Sequence, residues 1–263
     1  MYIRLIVALL VVSSFVSNAQ NVQNLGVGAG GAYITVRDEG ISVLNYHNFG
    51  AGIGSYFESY RNSVYNRLLL DVSYAKAMQG MTNVGILHTG KVDLLYSHFF
   101  RLKKPSETAF YIGGSIGITG GYRYQPFFLN SAHNYDISNP IGFSFLANHN
   151  FTIFNKGMSL QYWFDIPLIA AVLKPAYASP LPDGLQNFEV ELQDGYLRSI
   201  RILTLNRYTR FRNQISLQIP LTEKNQLRIS YDWDFYRILH QNPLYFSGHN
   251  FNLLYVFGLG RKA

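Results

Sequence analysis

A two-residue alternation of apolar and polar side chains runs through most of the chain after its first nineteen residues. Over 227–235, every odd position is large and apolar or aromatic, and every even position is polar or charged. Segments 158–166 and 68–74 follow the same pattern, although Trp163 and Leu69 stand on the polar side. Because successive side chains of a strand point to opposite faces, each segment is predicted to be a β-strand with one apolar face.

Composition indicates that the apolar faces meet lipid. Charged residues make up 14% of the chain, against about 25% in ordinary soluble domains. The polar faces carry mainly Gly, Ser, Asn, Gln and Tyr, whereas faces in bulk water would be rich in Lys and Glu. Nor does a stretch of about eighteen apolar residues, as a membrane-spanning helix requires, follow the first nineteen residues. We therefore predict an all-β fold, an antiparallel transmembrane β-barrel that is apolar outside and polar inside.

The start of the chain is typical of an export signal. Arg4 gives it a basic beginning, an apolar run covers 5–12, and small residues over 17–19 suit cleavage. We expect a signal peptide at 1–19 and a single barrel domain at 20–263. Export of a barrel indicates the outer membrane of a Gram-negative bacterium.

The alternation predicts about ten strands. They lie near 25–36, 43–60, 63–78, 85–101, 108–122, 139–154, 157–172, 200–220, 226–240 and 244–258. Ten strands place four short connections at one end and two long ones, 123–138 and 173–199, at the other. Such barrels have short periplasmic turns and longer extracellular loops. Eight or twelve strands stay open if 185–200 contains a hairpin or if the glycine-rich first segment is not a strand.

The last predicted strand is rich in aromatic residues over 250–257. It resembles the closing strand of the small outer-membrane β-barrel proteins of Gram-negative bacteria. The chain resembles these proteins over 20–263 in architecture and not through a motif. The resemblance implies an outer-membrane location and contact with outer-membrane lipid.

The predicted inward faces carry charges of both signs. These lumen residues are Glu58, Arg67, Asp71, Lys91, Asp93, Asp165, Arg210, Arg212, Arg228, Asp232 and Asp234. A ten-stranded lumen is narrow, and confined charges are costly unless they are paired. The pattern therefore predicts a ladder of Arg–carboxylate contacts that plugs the barrel, with an ion-selective pore as the alternative.

Several histidines fall at predicted extracellular strand ends or loops. They are His47, His88, His133, His240 and His249. A metal site or a rim active site, with Asp136 or Glu191 as partner, is one interpretation. However, neither HExxH nor a Ser-His-Asp spacing is present. We expect polar side chains in water at the barrel mouth, no enzyme activity and no cofactor.

Two polar residues stand on faces that should meet lipid. His149 shares its face with Phe145 and Phe151, and Asn213 shares its face with Ile215. A polar group in hydrocarbon is costly unless it lies near the interface or finds a partner. A β-bulge that reverses the face is the plainer explanation. The sharper hypothesis is a surface that contacts another membrane protein.

Three functions from different classes are compatible with this sequence. We favour a non-enzymatic barrel that serves as a structural or accessory subunit of a larger outer-membrane assembly. The alternatives are a narrow solute channel and a rim hydrolase that acts on peptide or lipid. Nucleic acid is not an expected partner, because the basic cluster Arg101, Lys103 and Lys104 is short and lies at a predicted turn.

Overall fold

The computed structural model describes residues 22–61, 63–79, 85–102, 107–127, 132–175, 192–240 and 242–259. The predicted signal peptide and most of the 173–199 loop lie outside these residues. The strands are β1 (Val22–Asp38), β2 (Ser42–Arg61), β3 (Val64–Met78), β4 (Ile86–Arg101), β5 (Thr108–Tyr124), β6 (His133–Ile153), β7 (Lys156–Leu173), β8 (Ile200–Thr204), β9 (Tyr208–Pro220), β10 (Asn225–Ile238) and β11 (Leu244–Gly258). One short helix, α1 (Leu192–Ser199), precedes β8.

The strands form a closed antiparallel barrel with ten positions. Strands β1 to β7 pair in sequence order, β7 pairs with β9, and β1 pairs with β11 to close the ring. Eleven strands fill ten positions because β8 and β9 lie one after the other beside β7. Strand β8 pairs with 169–173 and β9 pairs with 159–165, with a turn at 205–207 between them. The predicted ten-stranded barrel is confirmed, and its predicted eighth strand is interrupted.

The largest difference from the predicted boundaries is the start of β6, which begins at His133 and not near 139. Pro140 lacks an N–H and is unusual within a strand. In the barrel, the β5–β6 pairing is interrupted opposite Pro140 and resumes on both sides of it. The Asn139 side-chain amide donates to the Gly117 carbonyl at 3.5 Å beside this gap. Helix α1 was not predicted. Within the described residues, no helix is long and apolar enough to cross a membrane.

The two ends of the barrel differ in their connections. Four short connections, at 62–63, 102–107, 154–155 and 221–224, lie at the end where β1 begins and β11 ends. We call this the short-turn end; in outer-membrane barrels the short turns are periplasmic. The β6–β7 turn has positive φ at both Phe154 and Asn155, as a two-residue hairpin of this type requires.

The interior contains two apolar layers with polar residues between them. The upper layer, near the long loops, consists of Ala32, Ile34, Val36, Tyr46, Ala75, Ala77, Leu87, Ala170, Val172, Leu203, Tyr208, Tyr236, Ile238, Leu244 and Phe246. The lower layer consists of Tyr56, Tyr65, Leu69, Leu95, Phe99, Ala109, Tyr111, Leu146, Trp163, Leu254 and Val256. Trp163 and Leu69, the two exceptions to the alternation, are therefore inward-facing residues that pack the lumen.

Candidate functional site in the barrel lumen

The structure places all eleven predicted lumen residues inside the barrel, each no more than 8% exposed. Four more charged residues are also buried there: Asp38, Arg123, Asp136 and Lys174. Among the described residues, seven buried cations therefore face eight buried carboxylates. The interior is close to charge balance.

Arg210 is the centre of the largest network. Its guanidinium donates to Asp93 Oδ2 and Asp234 Oδ2, both at 2.8 Å, and to Thr119 Oγ1 at 2.6 Å. Lys91 lies between the same two carboxylates, 2.6 Å from Asp93 and in direct contact with Asp234. These residues come from β4, β5, β9 and β10, so the network crosses the lumen.

Arg212 extends the network toward the lower layer. It donates to Asp71 Oδ2 at 3.1 Å, and its guanidinium lies 5.4 Å from the centroid of the Trp163 ring. The Arg67 guanidinium lies 4.9 Å from the centroid of the same ring. Trp163 is thus close to two cations, and the electron-rich face of an indole ring attracts cations.

A second network lies closer to the short-turn end. Arg228 donates to the two oxygens of Glu58, each at 2.8 Å, which is the bidentate geometry that guanidinium and carboxylate favour. The Arg67 Nε atom lies 3.8 Å from the same carboxylate. The Arg228 guanidinium also lies 3.9 Å from the centroid of the Tyr56 ring.

The expected ladder of Arg–carboxylate contacts does not include every acid. Asp232 accepts from Gln214 at 2.6 Å and from Asn252 at 3.1 Å. Asp165 accepts from Ser144. Neutral donors occupy the positions beside these two carboxylates, so the network mixes ion pairs with polar hydrogen bonds.

The four additional charges form a cluster near the long-loop end of the barrel. Arg123 lies 2.6 Å from both Asp38 Oδ2 and Asp136 Oδ1. Lys174 lies 3.4 Å from Asp38 and donates to the Asn242 carbonyl at 2.9 Å. Burial lowers the pKa of Lys174, and the neighbouring Asp38 opposes that shift. Sequence reasoning missed this cluster as a unit, although inward alternation over 134–138 was a usable signal.

Little space is left between these side chains. The cavity enclosed beside Asp71, Arg212 and Asp232 measures about 10 Å³, which is close to the least that one water molecule needs. This cavity therefore has no room for a solute larger than water.

Three of the rim histidines lie on the outer wall of the barrel and not in its mouth. His88 and His249 hydrogen-bond through Nδ1 to Tyr74 and Tyr231, both at 2.7 Å, on the outer wall. His133 contacts Tyr122 in the same way. Asp136, one of the predicted catalytic partners, is bound to Arg123 inside. Within the described residues, no three His, Cys, Asp or Glu side chains are grouped so that they could hold a metal ion.

His149 and Asn213 both remain on the outward face. The register shift near them lies between β6 and β7 at Ile141, and it does not turn either side chain inward. His149 hydrogen-bonds to Thr108 Oγ1 at 2.8 Å, near the short-turn end. Asn213 Oδ1 accepts from the Tyr162 hydroxyl at 2.8 Å. No β-bulge turns these two polar groups inward. The free-energy cost of placing them on the outer wall is reduced by a hydrogen bond or by a position near the membrane interface.

Comparison with solved structures agrees with this architecture. The outer membrane protease OmpT from Escherichia coli superposes with a TM-score of 0.56 at 7% identity, covering 93% of this chain and 99% of that one. The fold is that of a bacterial outer-membrane β-barrel. This agrees with the location expected from the sequence. The translocator domain of autotransporter NalP from Neisseria meningitidis gives a TM-score of 0.42 at 8% identity, covering 95% of this chain and 93% of that one. No protein-family model and no curated protein matches the chain.

Proposed function

We propose that this protein is a non-enzymatic outer-membrane barrel with a closed lumen, which serves as a structural or accessory subunit of a larger outer-membrane assembly. The observation that carries the proposal is the charge-balanced network that crosses the lumen. Its partners in this role are outer-membrane lipid and another membrane protein. It requires no cofactor and no nucleic acid.

The network argues against conduction in this conformation. A solute that passed Arg210 would have to separate it from Asp93 and Asp234. Breaking one buried ion pair costs about 3–5 kcal/mol, because the remaining charge is left uncompensated. A polar network with several such contacts is therefore a barrier and not a pathway.

Conductance in planar lipid bilayers tests this part of the proposal. The refolded barrel should insert without producing single-channel steps, and its heat-dependent gel mobility should show that it is folded. Reproducible unitary steps from folded protein would contradict the closed lumen and favour the narrow channel.

The rim hydrolase is the less favoured alternative. The structurally similar OmpT is a protease, but similarity at 7% identity concerns the fold alone. In this chain Asp38 and Asp136 bind Arg123. His88, His133 and His249 contact tyrosines on the outer wall. Hydrolysis of fluorogenic peptides or phospholipids by the purified barrel, abolished by His240→Ala or His249→Ala, would contradict the non-enzymatic role.

The partner surface is tested by removing the two outward polar groups. The double substitution His149→Leu and Asn213→Leu should leave the barrel folded, because leucine suits a lipid-facing position, and should weaken co-purification of its membrane partner. Asn66→Leu is the matched control, since Asn66 lies on the outer face of β3 and hydrogen-bonds there to Tyr96. If quantitative mass spectrometry finds every co-purified protein retained by the double variant, this surface is ordinary lipid-facing wall.

A further inference from the structure

An open cavity of about 420 Å³ lies on the outer wall of the barrel, toward the long-loop end. We call it the outer groove. Two glycines that line it, Gly90 on β4 and Gly120 on β5, stand diagonally across the β4–β5 pairing. A Cβ added at Gly120 would meet nothing within 4 Å, and one added at Gly90 would meet the Ser73 carbonyl oxygen at 3.8 Å. The two missing side chains therefore leave a furrow between larger outward side chains.

The outward residues around the groove form three rows across β3 to β6, because these strands pair in register. The row farthest from the loops is apolar, with Val92 and Ile137 on either side of Gly120. The middle row is aromatic, with Tyr74 and Tyr122 on either side of the other glycine. Tyrosine gathers at the membrane interface, where hydrocarbon gives way to headgroups. The groove therefore runs from the interface into the hydrocarbon layer.

The third row, nearest the loops, is polar and basic. It consists of Lys76, His88, Tyr124 and His133, each opposite the next in the strand register. The row does not line the groove but stands two residues beyond the aromatic row, about 6.6–6.8 Å closer to the loops. Lys76 is exposed, and no carboxylate among the described residues pairs with it. The wall thus presents a cation without a counter-ion at the level of the lipid headgroups.

Hydrogen bonds join this third row to the walls of the groove. The Tyr74 hydroxyl contacts His88 Nδ1 at 2.7 Å, and the Tyr122 hydroxyl contacts His133 Nδ1. The phenol is the more acidic group of each pair, so we assign it as the donor, and the imidazole proton then sits on Nε2. His88 is in this way oriented beside Lys76 with an N–H to donate.

We propose that this sector of the outer wall binds one lipid that carries a phosphate headgroup. Lys76 and His88 bind the phosphate, because an ammonium and an N–H donor on neighbouring strands both suit its oxygens. One acyl chain of the same lipid lies in the outer groove over Gly90 and Gly120. This inference goes beyond the function proposed above, in which outer-membrane lipid only surrounds the barrel.

The groove suits an acyl chain better than a segment of another protein. A helix with its side chains is about 10–12 Å across, whereas the furrow is left by one missing side chain on each of two strands about 4.7–4.9 Å apart. The groove also favours a lipid over a free phosphate ion, which would use Lys76 and leave the apolar row uncovered. The basic row and the groove together match the two parts of one lipid molecule.

Photocrosslinking to the full-length mature barrel in a nonionic detergent tests the proposal. The probe is phosphatidic acid with a diazirine in one acyl chain, and mass spectrometry maps the crosslinked peptides. Crosslinks should concentrate on 72–76, 88–92, 120–124 and 133–137. The matching diacylglycerol, which lacks the phosphate, should crosslink there at least fivefold less. Equimolar inorganic phosphate should not displace the lipid, because it does not occupy the groove.

Two variants separate the headgroup contact from the groove. Lys76→Gln should lower crosslinking in this sector about fivefold, which corresponds to the roughly 1 kcal/mol that one Lys contributes near anionic lipid. Gly120→Leu should lower it by a similar factor, because the leucine side chain fills the furrow. The matched controls are Lys156→Gln, at an exposed position of β7 at the short-turn end, and Gly31→Leu, whose Cβ also meets nothing within 4 Å. Both controls should leave crosslinking in this sector unchanged.

Several results would overturn the lipid site. They are crosslinks spread evenly around the barrel, equal crosslinking by diacylglycerol, displacement by equimolar phosphate, and unchanged crosslinking in Lys76→Gln or Gly120→Leu. Heat-dependent gel mobility checks that each variant is folded. Bilayer conductance and co-purification of a protein partner do not depend on this groove, so failure of this inference is distinguishable from failure of the proposed function.

Discussion

The Glu58–Arg228 pair offers the sharpest test of a closed, dry lumen. Arg228→Met removes a guanidinium that makes two hydrogen bonds of 2.8 Å to Glu58 and lies 3.9 Å from the Tyr56 ring centroid. Both charged side chains are essentially inaccessible to solvent. The substitution leaves the Glu58 carboxylate buried, with Arg67 at 3.8 Å as its remaining cation.

The expected loss is about 3–5 kcal/mol in the free energy of unfolding, because removing one partner leaves a buried charge. Glu58→Met should cost a similar amount. The double variant should cost far less than the sum, since an apolar pair needs no compensation. We expect a coupling energy of about 3 kcal/mol. The double variant does not recover the full stability of the unchanged protein, because Arg67 also loses its contact with the Glu58 carboxylate.

Urea unfolding in lipid vesicles, followed by tryptophan fluorescence, measures these energies. Trp163 reports on the lumen because Arg67 and Arg212 lie against its ring. The control is Arg37→Met, which breaks a 2.6 Å pair to Glu39 whose side chains are 39% and 23% exposed. Exposed pairs contribute about 0–1 kcal/mol. If Arg228→Met costs no more than Arg37→Met, water reaches the lumen pair and the closed-lumen reasoning is refuted.

Three further predictions concern packing, pH and processing. Gly113→Ala should destabilise the barrel by about 1–3 kcal/mol, because its Cβ would lie 1.8 Å from the His98 carbonyl oxygen; Gly120→Ala, whose Cβ would meet nothing within 4 Å, should leave the urea midpoint unchanged. Because burial lowers the pKa of Lys174, the unfolded chain binds more protons there, so stability should rise with pH just below the ordinary value of 10.5; Lys174→Met should lessen that rise, and an identical pH profile would contradict it. Mass spectrometry of the exported protein should find Gln20 as its first residue, and a retained leader would show that the signal-peptide prediction is wrong.

The sequence by itself determined the class of fold and most of the strands. Side-chain alternation is a local property of a strand, and so is the scarcity of charge along it. Segments such as 158–166 therefore identify their own inner and outer faces without knowledge of any neighbour. The inward placement of Arg210 and Asp234 follows from the same two-residue period.

Only the tertiary structure decided which of these groups meet. Lys91 contacts Asp234 although the two residues are 143 positions apart in the sequence, and the stagger and width of the closed barrel bring them together. The β5–β6 pairing is interrupted opposite Pro140, and the Asn139 side-chain amide donates to the Gly117 carbonyl beside this gap. The alternation within a single strand does not reveal such a contact between strands. Contacts across a lumen depend on closure, and closure is a property of all ten strand positions at once.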